Sequence, residues 1–263
     1  MKTSNKSYLA ELKPVVSSWL AGFLPIYQKE LAYWFKTYRW LAQLIIWMSV
    51  TATPAIFAVQ DSTGDRGISY LTLFIWLSGT LTSLGTIFLT QGIIIEEKLT
   101  QTLVWVFAKP LSSEGFILAK FAAYAVFLGT IALGIPATVV LVVAIVAGLP
   151  PQVSLTNYLI AISLIYLMLL FYLASSLMLG AIFKRTRTVT AIAFTIFLAE
   201  ASFSTTPLLR PYEAYSVFAL QRHATAILVG KFAPATFGAV SLTVACILGF
   251  LSLACWWIKR TEF

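Results

Sequence analysis

Charge is scarce in this sequence. Only 11% of its 263 residues are Asp, Glu, Lys or Arg, against 59% hydrophobic and 14% aromatic, which excludes an ordinary water-soluble domain. There is one histidine, His223, and two cysteines, Cys246 and Cys255. A metal centre needs several converging ligands, which so few donors cannot supply, so no metal site and no catalytic residue is expected. The cysteines fall nine residues apart on one helical run, on opposite sides of it, and cannot bridge within it. They read as small apolar residues and say nothing about redox compartment. A Gly-x-x-x-x-Gly-Lys-Ser/Thr phosphate loop is also missing, so any nucleotide chemistry would come from another polypeptide.

What is present is long apolar runs. About 20 consecutive apolar residues are needed to cross a bilayer, because in lipid each backbone group must be satisfied within its own helix. Six stretches meet or approach that need: 40–59, 68–95, 121–149, 158–183, 189–206 and 235–258. Residues 121–183 carry no charge at all and are too long for one crossing, and Gly148, Pro150 and Pro151 divide them into a tight hairpin. The predicted fold is an all-α integral membrane protein, a single transmembrane domain over 1–263 with six spans.

The net charge of +8 invites a nucleic-acid reading, which the placement of the charges removes. Only Arg66, Arg210, Arg222 and Lys231 fall on one side of the six-span layout; the other fourteen basic residues share the side of both termini. That bias predicts cytoplasmic termini and cytoplasmic connections between spans 2 and 3 and between spans 4 and 5, in a cell inner (plasma) membrane. The basic excess is topology, and no nucleic-acid partner is expected.

Shorter features carry finer expectations. Residues 15–26 have some character of a secretory signal, but Ser17, Ser18 and Pro25 interrupt them, and the span at 40–59 can serve as an uncleaved anchor. Residues 26–39 alternate Lys29, Glu30, Lys36 and Arg39 with Tyr27, Tyr33, Trp34, Phe35 and Tyr38, which predicts an amphipathic helix lying in the headgroup interface. The outward loop 60–67 reads as a solvated turn. The long connection 207–234 predicts an interfacial or re-entrant helical piece, with His223 exposed or interfacial. Gly85 and Gly92 on span 2, and Ser176 and Gly180 on span 4, predict close helix packing. Glu200 stands alone as an ionisable residue well inside a span, past the midplane. Such an acid either touches a translocation path, reaches the interface or bonds to a neighbouring helix.

The most specific segment is the connection 96–120. Glu96 and Glu97 end span 2, and Leu103, Val106 and Phe107 share one helical face. Pro110 stops that helix, Ser112 or Ser113 can cap the next, and Glu114 suits its first turn. A short cytoplasmic coupling helix held between two spans can pass force from a soluble partner to the bundle. This segment resembles that of ATP-binding-cassette (ABC) transporter permeases of the type 2 export class, whose pattern runs Glu-Lys, Gly-Thr-Leu, Pro-x-Ser and Gly-Lys. Glu97, Lys98, Thr102, Leu103, Pro110, Ser112 and Lys120 occupy matching places, while Gln101 and Ala119 stand where the family usually has glycine. Lys29 and Glu30 before span 1 extend the likeness.

The resemblance implies a permease whose amino-terminal helix and segment 96–120 dock on a separate ABC ATPase. ATP and magnesium would bind to that partner, not to this chain. A second permease copy, identical or paralogous, and the surrounding membrane lipid are the other implied partners. It implies export driven by ATP hydrolysis elsewhere, and no enzyme activity of the chain itself. Glu96 and Glu97 also resemble the paired glutamates of CAAX-processing membrane proteases, but Gln101 and a lone histidine do not complete that set. A secondary transporter without an ATPase, or a membrane scaffold, stays open; the scarcity of intramembrane charge counts against ion coupling.

Overall fold

The computed structural model describes residues 22–61, 66–99, 112–147, 153–202 and 210–260, and among them every regular element is a helix. Thr102, Leu103 and Pro110 of the expected coupling helix lie outside the described residues. Five helical stretches are long and apolar enough to cross a membrane: Arg39–Ala58, Ser69–Leu99, Ser113–Val146, Leu155–Ile182 and Ala235–Arg260. These are the marks of a multi-pass membrane protein. The expected stretch at 189–206 is occupied by a helix described over 17 residues, Thr186–Ser202.

Helix α1 (Phe23–Phe35) precedes the first long stretch and ends earlier than the 26–39 expected. The Thr37 hydroxyl donates to the Tyr33 carbonyl at 2.6 Å, and the chain bends over 36–38 before α2 (Arg39–Trp47) begins. From α2 the chain runs through a π-turn (Met48–Ala52) into α3 (Thr53–Asp61). The third long stretch is built alike, from α6 (Ser113–Phe127), a π-turn (Leu128–Gly134) and α7 (Ile135–Val146). Both π-turns have one cause. The Thr53 and Ile135 amides reach back five residues to the Met48 and Thr130 carbonyls, and the next residue in each case is a proline, Pro54 or Pro136. Proline has no N–H and its ring crowds the preceding turn, so the helix widens ahead of it instead of breaking.

Helix α4 (Arg66–Thr90) passes through a turn at 91–94 into the short α5 (Ile95–Leu99). The 28-residue α8 (Leu155–Ile182) is apolar on nearly every side and buries Met168, Leu169, Tyr172, Leu173 and Leu177. A helix without a polar face belongs at the centre, and α4, α6, α9 (Thr186–Ser202), α10 (Ala219–Leu228) and α11 (Ala235–Arg260) all pack on it. Gly85 and Gly180 stand at helix contacts as expected, whereas the space over Gly92 is taken by Glu96 of the same segment. A side chain at Gly85 would fall 2.0 Å from the Trp47 ring, and one at Gly180 would touch Ile94. The two cysteines are free.

From Arg210 on, the described part of the connection packs into the bundle. A 3-10 turn (Arg210–Tyr215) leads into α10, whose Leu220, Gln221, Ala224, Ile227 and Leu228 are buried. Gly230, at φ 77°, closes α10 by turning its amide to Ile227 and that of Lys231 to Ala226, the left-handed stop that favours glycine. His223 is 8% exposed, contrary to expectation, because its Nε2 meets the Ala214 carbonyl at 2.9 Å and ties α10 to the 3-10 turn. Charged neighbours in sequence concealed the inward turn of His223.

Candidate functional site

One end of the bundle gathers α1, α5, the start of α6 and the ends of α8 and α11. Ser112 opens α6 in extended conformation, its hydroxyl accepting the Gly115 amide at 2.9 Å. Of the two serines considered, it is Ser112 that caps, a contact worth about 1 kcal/mol. Glu114 sits in the first turn, 3.8 Å from Lys259 at the end of α11. From there one face of α6 presents Phe116, Lys120, Tyr124 and Phe127 inward at helical spacing, all buried.

Helix α1 lies on that face. Glu30 and Trp34, four residues apart, are its buried side chains. The Trp34 indole stacks on Phe127 with centroids 4.0 Å apart and meets Tyr124 edge-on at 5.7 Å. One turn earlier, Glu30 Oε1 lies 2.8 Å from Lys120 Nζ, and Glu97 Oε1 approaches the same ammonium to 3.0 Å. Lys120 is only 2% exposed, and its charge also stands 5.3 Å above the Phe116 ring. A buried ammonium is costly unless paired and hydrogen-bonded; here two carboxylates and a ring face supply what water would.

The Lys29–Glu97 pair, at 3.7 Å with the lysine 68% exposed, contributes about 0–1 kcal/mol at most. The network therefore rests on Lys120. Around it a cleft of about 210 Å³ is lined by Lys29, Glu30, Tyr33, Glu96, Glu97 and Lys120. Glu96 folds back over Gly92, where an added side chain would meet its Oε1 at 2.8 Å.

Lys98 points away from this cleft. Its ammonium donates to the Gly180 carbonyl at 2.9 Å and to that of Ala181, so a cation closes the carboxyl end of α8, where unsatisfied carbonyls favour positive charge. The sequence-selected residues thus divide. Lys29, Glu30, Glu96, Glu97 and Lys120 form one cluster, Ser112 shapes the helix that carries Lys120, and Lys98 anchors α5 to α8. Trp34 and Tyr124 hold α1 in place; Trp34 was read in the sequence only as one of the interfacial aromatics, and Tyr124 was not singled out. Their signal is the four-residue spacing of each from a cluster residue, Glu30 or Lys120.

Glu200 belongs to the opposite end. Its Oε2 accepts the Val217 amide at 3.1 Å, and the Phe218 amide also bonds to the carboxylate. The acid therefore holds the head of α10, the neighbouring-helix alternative among its readings. Gln221 fixes the same helix to α4 by donating to the Trp76 carbonyl at 2.8 Å.

In comparison with known proteins, no family model matches the chain and no curated protein is significantly similar to it.

Proposed function

We propose that this chain is the membrane-spanning permease subunit of an ABC transporter of the export class. In this reading α9 and the residues to 206 complete a sixth crossing, both termini are cytoplasmic, and α1 lies at the cytoplasmic interface of an inner (plasma) membrane. The permease works with a separate ATPase and a second permease copy. Segment 96–120 takes up the movement of the ATPase and passes it to the bundle.

One observation carries the reading: the residues that resemble the family's pattern at three distant places, Glu30, Glu97 and Lys120, converge on one buried ammonium. Through it α1, the end of span 2 and the head of span 3 are tied together. A push on the connection between spans 2 and 3 then reaches α1 and α6 together instead of dissipating in a loose loop. Coupling requires such a discrete, packed element between two sites.

The test is purification of the tagged chain from its own cells in mild detergent, with ATPase activity and phosphate-loop proteins assayed in the eluate. An ATPase should accompany the wild-type chain and be depleted with Glu97→Gln and Pro110→Ala. A wild-type chain that brings no ATPase, or two variants that retain it together with full ATP-driven transport, would overturn the proposal.

A further inference from the structure

A second cleft, of about 550 Å³, opens on the bundle surface between α4 and α9. Its lining is graded along the helices. Gln91, Arg187 and Thr190 lie at the same end as the Lys120 cluster, and Phe88, Ala191 and Phe194 lie deeper. Gln91 and Thr190 hydrogen-bond to each other across its floor. Phe88 and Phe194 are 54% and 39% exposed, so their rings form open walls instead of core. Arg187 to Phe194 is two helical turns, a rise of about 10 Å, enough to pass from the headgroup layer, about 5–8 Å deep on each side, into the acyl region.

The charges are as one-sided as the walls. Lys184, Arg185 and Arg187 fall within four residues at the start of α9. Among the described residues no ion pair engages any of them. A cationic mouth above an aromatic, lipid-facing trough complements an anionic amphiphile.

We infer that this cleft binds an anionic phospholipid, its phosphate against Arg187 and an acyl chain between Phe88 and Phe194. The inference rests on the proposed placement of this end in the cytoplasmic leaflet, where anionic lipids concentrate. It requires neither an ATPase nor transport.

The experiment titrates fluorescent phosphatidylglycerol and identically labelled phosphatidylcholine onto the purified chain in neutral detergent, without nucleotide. Arg187→Ala should weaken phosphatidylglycerol binding by about fivefold and leave phosphatidylcholine unchanged, Arg187→Lys should restore it, and Ala191→Trp should weaken both lipids by filling the trough. Unlabelled inorganic phosphate should displace neither. Melting temperatures verify that each variant is folded, and a variant that fails to fold leaves the other to decide. Equal binding of the two lipids by the wild type, or phosphatidylglycerol binding untouched by both Arg187→Ala and Ala191→Trp, overturns the inference. So does displacement by phosphate, or an Ala191→Trp chain that loses self-association while still binding lipid, which would make the cleft a contact between copies.

Discussion

Lys120 and Glu30 stand ninety residues apart in the chain and 2.8 Å apart in the fold, with the lysine sealed from solvent. Lys120→Met leaves Glu30 and Glu97 facing each other without the charge that holds them. The expected loss is about 3–5 kcal/mol, the usual result of breaking a buried pair by removing one partner. The triple variant Glu30→Gln, Lys120→Met, Glu97→Gln should recover much of it, since no uncompensated charge remains. Thermal unfolding in detergent measures both. A single variant as stable as the wild type would remove the network from any structural account of α1.

The apolar spans were legible in the sequence because lipid as a solvent enforces length and composition, and 40–59 and 235–258 match the helices Arg39–Ala58 and Ala235–Arg260 within two residues. Glu97 was legible as part of the acidic end of its span, and Lys120 only through the resemblance of its segment to a family pattern. Their pairing with Glu30 was not, since nothing local encodes which distant charge a buried lysine will meet. The inward turn of His223 was hidden for another reason. Arg222 makes a surface pair with Glu213, while the adjacent His223 turns inward, so composition averaged over the segment reads equally as interfacial or re-entrant. The π-turns had a visible cause in Pro54 and Pro136, but proline inside a span predicts a kink as readily as a widened turn.

Gly85 is expected to tolerate nothing larger. Even alanine would place a carbon 2.0 Å from the Trp47 ring, so α2 and α4 must separate or the indole must leave its site. Gly85→Ala should cost about 1–3 kcal/mol, as overpacking does. Combining it with Trp47→Leu should restore part of the loss, which thermal unfolding of the single and double variants would reveal. Equal melting temperatures for wild type and Gly85→Ala would show that this contact is not close packed.

Lys98 should act on α8 rather than on the cleft. Lys98→Met removes the cation from the Gly180 and Ala181 carbonyls, and loss of charged hydrogen bonds of this kind costs about 1.5–3 kcal/mol. Hydrogen exchange should accelerate at the amides of the last turn of α8, up to Phe183, while those of α1 keep their protection. Acceleration in α1 instead would mean that Lys98 belongs to the Lys120 network.

Glu200 offers a test between anchoring and transport. Its carboxylate accepts backbone amides at the head of α10, and a glutamine there keeps a carbonyl oxygen able to accept the same bonds. Glu200→Ala should therefore cost about 1–3 kcal/mol, the penalty for a buried donor left without its partner. It should also speed amide exchange at residues 217–220. Glu200→Gln should stay close to wild type in both measurements. A residue that meets cargo through its charge behaves in the opposite way, because glutamine removes the charge while preserving shape. If Glu200→Gln stops ATP-driven transport with the exchange of 217–220 unaltered, the carboxylate serves a path rather than the anchor, and the geometry at Val217 is only how it is held in position.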